Sequence, residues 1–153
     1  AGELILGVVY DAVTEEMFSA IKNQGATLND QPIRVSDEDQ LIDSLLATGF
    51  SYDQEEIKNN LKFFNRIILH SQAIRRDGSA ALDLCYVACG RFDGFWELSL
   101  KPWDVAAGRL IVEEAGGSVT AFDGSPSTLY DRELLATNGK IHPAMMEMLT
   151  PAP

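Results

Sequence analysis

The stretch RRDGSAALDLCYVACGRFDGFWELSLKPWDVAAGRLIVEEAGG, residues 75–117, decides the fold. It holds two joints, Asp77-Gly78-Ser79-Ala80 and Lys101-Pro102-Trp103-Asp104. Each reads as a strand end feeding a helix. After the first, Leu82, Cys85, Tyr86 and Cys89 recur at helical spacing, with Gly90 at the end. After the second, Asp104 to Ala115 reads as a helix capped by Asp104 and stopped by Gly116-Gly117. Between them, Phe95 to Leu100 reads as a strand carrying one carboxylate, Glu97. A helix start offers free backbone N–H groups and the positive end of the helix dipole. Two such starts beside two carboxylates can hold an anion, a metal ion, or both. Ser79 and Asp104 are also favoured N-cap types, so local chemistry leaves both readings open.

Working outward, Ser44 to Phe50 reads as a short buried strand ended by Gly49, and Ala73 to Arg76 as another. Glu55 to His70 has helical spacing, with Ile57, Leu61, Phe64 and Ile68 on one stripe. Ser118 to Phe122 and Leu134 to Thr137 read as strands, and Pro143 to Leu149 as a last short helix. From residue 44 onward, strands and helices alternate, which calls for an α/β layered domain with a mixed or parallel sheet. On the other side, Leu4 to Tyr10 is an apolar run that reads as a buried strand, and Met17 to Ile21 as its hairpin partner. Gly25 to Val35 forms a second ribbon turning at Asn29-Asp30. These first strands cannot close a core alone. They read as part of a sheet with other members, leaving an exposed edge. Association through residues 4–35 is therefore expected, with a second copy or with an absent N-terminal half. The polar connector Asp37 to Asp43 divides residues 1–36 from residues 37–153.

At 153 residues, the chain is long enough for one substantial core. Its net charge of −11 and lack of a basic run argue against nucleic acid as a partner. An acidic protein that binds a phosphorylated metabolite would favour a divalent cation as the bridge, and carboxylates are hard ligands suited to Mg²⁺. Cys85 and Cys89 sit four apart on one helical face, too far for an unstrained disulfide, and read as thiols in a reducing compartment. With no run of about 18 apolar residues and no signal-peptide pattern, no membrane association and a cytoplasmic location are expected.

The candidate site residues follow from the joints. Asp104 is a metal-ligand candidate, fixed by Pro102 and Trp103 and followed by the slender Val105-Ala106-Ala107-Gly108. Gly78, Ser79 and Ala80 could bind a substrate hydroxyl or an anion, without the lysine and spacing of a P-loop. Glu97 lies towards the carboxyl end of its strand, where ligands sit in α/β crevices. Arg75, in the adjacent pair Arg75-Arg76, is a candidate phosphate contact, with a solvated surface pair as the alternative. His70 and His142 lack a triad arrangement and read as structural.

These residues carry a resemblance. Trp103-Asp104-Val105-Ala106-Ala107-Gly108 followed by Glu114-Ala115-Gly116-Gly117 resembles the C-terminal signature of the inositol monophosphatase family. Gly78-Ser79-Ala80-Ala81, Gly7-Val8-Val9-Tyr10, Gly25-Ala26 with Asn29, and Leu135-Ala136-Thr137-Asn138 fit the same pattern in order. The resemblance implies the C-terminal half of an αβαβα layered sugar-phosphatase fold. It also implies a Mg²⁺-dependent, Li⁺-sensitive phosphomonoesterase, usually dimeric. Under it, Asp104 matches a metal-ligating aspartate, Glu97 a glutamate that bonds substrate hydroxyls, and Gly78, Ser79 and Ala80 the loop touching the sugar or inositol ring. The family's Gly-Glu-Glu and Asp-Pro-x-Asp-Gly-Thr segments have no counterpart here. Glu113-Glu114 and Asp123-Gly124-Ser125 stand in the wrong contexts. The chain is thus expected to supply one metal ligand and to be weakly active or inactive alone. Inositol monophosphate or a related sugar phosphate is the expected substrate. Fructose-1,6-bisphosphate, histidinol phosphate, a nucleotide bisphosphate, or a non-catalytic binding module on the same scaffold are the alternatives.

Overall fold

In a computed structural model, which describes residues 2–150, the chain forms two sheets and four α-helices. The first sheet is antiparallel, β1 (Leu6–Asp11), β2 (Glu16–Ile21), β3 (Ala26–Leu28) and β4 (Gln31–Ile33), in sequential order. Asn29 and Asp30 both take positive φ, 48° and 64°, which gives the type I′ turn expected of that pair. The second sheet contains β5 (Leu45–Thr48), β6 (Ala73–Arg75), β7 (Gly94–Leu98), β8 (Ser118–Thr120) and β9 (Glu133–Thr137). Its order is β6-β5-β7-β9-β8, with β6, β5 and β7 parallel and β9 antiparallel to both its neighbours. The helices are α1 (Gln54–Ile67), α2 (Ala80–Ala88), α3 (Pro102–Glu114) and α4 (His142–Leu149).

These elements stack as sheet, helices, sheet, helices. Helices α2 and α3 lie between the sheets, and one core joins Phe18, Ala20 and Ala26 of the first sheet to Leu84, Val105, Ile111 and Phe95. A second core, with Trp96, Leu135, Ile67 and Met145, lies between the mixed sheet and α1 with α4. Strand β7 serves both: alternation sends Phe95 to one core and Trp96 to the other. This is the layered, mixed-sheet α/β architecture expected from the sequence.

Glycines set the closeness of the layers. A Cβ on Gly108 would lie 2.7 Å from Leu84, so the α2–α3 crossing depends on its absence. A Cβ on Gly7 would lie 2.9 Å from the Ala107 carbonyl, so the backbone that the small residues of α3 admit is β1. Glu114 has a matching structural role. Its carboxylate accepts the N–H groups of Asn23, Gln24 and Gly25 at 2.7, 3.1 and 2.8 Å, tying the β2–β3 turn to the end of α3.

Three expectations need correction. The run Leu4 to Tyr10 is not a buried strand: Leu6, Val8 and Tyr10 are 59%, 49% and 58% exposed, while Gly7 and Val9 face α3 and its core. The inward stripe of α1 is Asn60 and Ile67, both buried, with the half-buried Phe63 and Phe64, and Leu61 and Ile68 are exposed. Asn60 turns the helix because its amide accepts from the Trp96 indole (2.8 Å) and donates to the Gly49 carbonyl (2.6 Å). A polar residue at the centre of a buried face is invisible to hydrophobic spacing. Asp104 is not the N-cap of α3; Lys101 holds that position, and Asp104 Oδ2 accepts its N–H at 2.9 Å from the first turn.

Candidate functional site

The parallel strands β6, β5 and β7 end at one edge of the mixed sheet, where α/β crevices form. A cleft of about 620 Å³ opens there, lined by Phe50 after β5, Glu97 of β7, Asp104 of α3, and Glu56, Tyr130 and Arg132. Glu97 and Asp104 thus line the same cleft, on elements joined by the three-residue connection Ser99 to Lys101.

Glu97 is held over the backbone of Gly49. A Cβ at that position would meet its carboxylate at 2.1–2.3 Å. The Gly49 carbonyl is pinned by Asn60, and Thr48 Oγ1 donates to the Trp96 carbonyl at 2.8 Å. Burial, then the charge of Asp104, pushes the Glu97 carboxyl up to about 7, against a lowering pull from Arg76. Neither Glu97 nor Asp104 forms an ion pair among the described residues.

At the first joint, Gly78 takes φ +91°, a conformation suited to glycine. Ser79 is the N-cap of α2, yet its hydroxyl makes no capping hydrogen bond. Two of the three joint residues, Ser79 and Ala80, are half-buried, and none of the three lines the 620 Å³ cleft. One turn into α2 lies Asp83, 1% exposed, with Oδ1 unpartnered. Burial, then Asp77 and Glu97, pushes its carboxyl up to about 7. Of the arginine pair, Arg75 is exposed on β6 opposite Ala47, whereas the Arg76 guanidinium lies 5.9 Å from the Phe50 ring centre and acts on Glu97.

Sequence reasoning missed Gly49, Asp83, Arg132, Glu56 and the turn at Ser99. Gly49 carried a usable signal, a glycine at the carboxyl end of a parallel strand. Arg132, Glu56 and the turn at Ser99 depend on contacts between residues 33 to 76 positions apart, and Asp83 on its burial in the fold.

The donor set at the cleft is hard oxygen, from Glu97 and Asp104. Among the described residues, no three His, Cys, Asp or Glu side chains converge as metal ligands. Two crowded carboxylates without a paired cation fit Mg²⁺, which binds through one or two carboxylates, waters and substrate phosphate.

The fold and cleft together define a layered α/β protein with an acidic crevice at the carboxyl ends of its parallel strands. The chain belongs to the inositol monophosphatase family, whose model matches residues 1–152. It is 50% identical over 149 residues to an inositol-1-monophosphatase of Synechocystis sp., covering 97% of this chain and 52% of that protein. It is 42% identical over 151 residues to Nus factor SuhB of Pasteurella multocida, covering 98% and 57%. The solved structure of inositol monophosphatase from Anabaena (Nostoc) sp. superposes with a TM-score of 0.93 at 47% identity, covering 97% of this chain and 60% of that one. The chain spans about half the length of the curated relatives it matches.

Proposed function

We propose that this chain forms the substrate-side half of a Mg²⁺-dependent phosphomonoesterase acting on inositol monophosphate or a related sugar phosphate. The observation that carries the reading is that Glu97 and Asp104 line one cleft, on adjoining elements at the parallel strand ends. Family membership supports the reaction class. Asp104 and, beside it, Glu97 are the residues that would hold or face Mg²⁺. When bound, the metal supplies Lewis-acid activation of water and stabilisation of the leaving oxygen. The ionised Glu97 carboxylate accepts hydrogen bonds from ring hydroxyls, and its rest on Gly49 fixes its direction. The N-terminus of α2, with Gly78, Ser79 and Ala80, lies outside the lining of the cleft but has free N–H groups and an uncommitted Ser79 hydroxyl, and on this reading it would contact the sugar or inositol ring. Arg75 or its neighbour Arg76 would contact the phosphate; the charge of Arg76 acts on Glu97.

On this reading, residues 1–36 are the last strands of an N-terminal sheet and residues 37–153 a C-terminal α/β domain. The exposed face of β1 and β2 takes the N-terminal half or a second copy. Phosphate release from inositol 1-phosphate with Mg²⁺ tests it. The chain alone turns over weakly or not at all, and adding the N-terminal half in trans restores activity that Asp104→Asn removes. Robust turnover by the chain alone, abolished by Asp104→Asn, overturns the half-site reading. A second reading, a non-catalytic assembly module, draws support from the relatives named Nus factor SuhB. Stable folding with no rescue in trans would favour it.

A further inference from the structure

Ser99 stands two residues beyond Glu97 and takes φ +61°, a left-handed conformation uncommon for a residue with a side chain. Such a conformation persists only where surrounding contacts over-determine it. Ser99 N donates to the Arg132 carbonyl at 2.6 Å, and Ser99 Oγ donates to Glu56 Oε1 at 2.5 Å. Arg132 closes the cluster, pairing with the same Glu56 oxygen and reaching Ser99 Oγ at 3.4 Å. Hydrogen bonds from Ser99 first, then Ser51, with Arg132 adding its own, hold the Glu56 carboxyl below its usual range. The three residues come from α1, the β7–α3 connection and the segment before β9, and all three line the cleft.

That connection is only Ser99, Leu100 and Lys101, and its last N–H is accepted by Asp104 Oδ2. Its shape therefore sets where Asp104 stands relative to Glu97. We propose that Glu56, Ser99 and Arg132 form a clamp that positions Asp104 against Glu97 for metal and substrate binding, acting through the left-handed turn at Ser99. The inference rests on the reading of Asp104 as a metal ligand. Partners that orient a ligand in this way are worth about 10–100-fold in metal affinity.

The test is Mn²⁺ binding to the 153-residue chain followed by electron paramagnetic resonance. Acrylamide quenching of Trp103 gives a second readout: Trp103 is 80% exposed and precedes Asp104, while Trp96 is buried. Ser99→Ala and Glu56→Gln are expected to weaken Mn²⁺ binding about tenfold and to change Trp103 quenching. Ser99→Asn, which tolerates the left-handed region and restores a donor to Glu56, should stay within about twofold of the parent. A purely structural role would lower the melting temperature without this pattern. If Asp104→Asn abolishes binding while Ser99→Ala and Glu56→Gln bind as the parent does, the clamp is overturned and the metal reading stands. If Asp104→Asn binds as the parent does, both fall. Should Ser99→Ala fail to fold, Glu56→Gln with Ser99→Asn decides: weakened binding in the first and retained binding in the second support the clamp. Parental affinity in Glu56→Gln overturns it.

Discussion

Gly49, under the Glu97 carboxylate, and Asp83, buried in α2, are two single residues whose change has a measurable consequence. Gly49→Ala adds a methyl where the Glu97 carboxylate lies. The obstructed atoms are the far end of a flexible side chain, so the protein folds with a stability loss of about 1 kcal/mol or less. Glu97 is displaced, and under the proposed function substrate affinity falls once the N-terminal half is added. A melting curve with a substrate titration separates the two effects. Asp83 carries a carboxyl raised from 3.8 to about 7 by burial, Asp77 and Glu97. A raised carboxyl favours the fold while protonated, so its contribution is complete below about pH 4. That contribution is lost as pH rises towards 7. Asp83→Asn is therefore expected to raise the melting temperature at pH 8 and to leave it nearly unchanged at pH 4. Scanning fluorimetry across that range checks the sign.

At the level of elements, α3 joins three parts of the molecule. Gly108→Ala would force Leu84 and the α2–α3 crossing apart, since the new Cβ would sit at 2.7 Å. Overpacking of this kind costs about 1–3 kcal/mol. Glu114→Ala frees three turn N–H groups and is expected to lower stability by roughly 1–2 kcal/mol. Urea unfolding measures both. The element order was legible in the sequence because β-branched runs, helical spacing and glycine stops agreed along residues 44–149. The Asn29-Asp30 turn was legible for the same local reason. The stripe of α1 was not, because Asn60 is buried to meet Trp96 of β7 and Gly49 just after β5. Glu97 and Asp104 could be picked out from their place at strand and helix ends. The turn at Ser99 could not, since a serine at φ +61° is selected by Glu56 and Arg132, far away in sequence. His142, read as structural, is buried between Thr120 and Thr137, each hydroxyl 2.9 Å from a ring nitrogen.

At the scale of the whole molecule, the outer face of the first sheet decides behaviour in solution. Cross-strand pairing sets Leu6 against Ile21 and Tyr10 against Met17, with Val8 between, all exposed on one side. Strand β1 is also the sheet edge. An apolar face beside an open edge favours association. Val8→Lys is expected to shift the chain towards monomer in sedimentation velocity while leaving the cleft unaltered. A parent chain that already sediments as a monomer at high concentration counts against it. Helix α3 carries a mechanical consequence. Its first turn bears Asp104 in the cleft, and its last bears Glu114, hooked over the β2–β3 turn. Ten residues of rigid helix, about 15 Å, separate these grips. One helix thus links the outer sheet to the cleft: a change at the β2–β3 turn reaches, through a single rigid element, the carboxylate proposed to bind the metal.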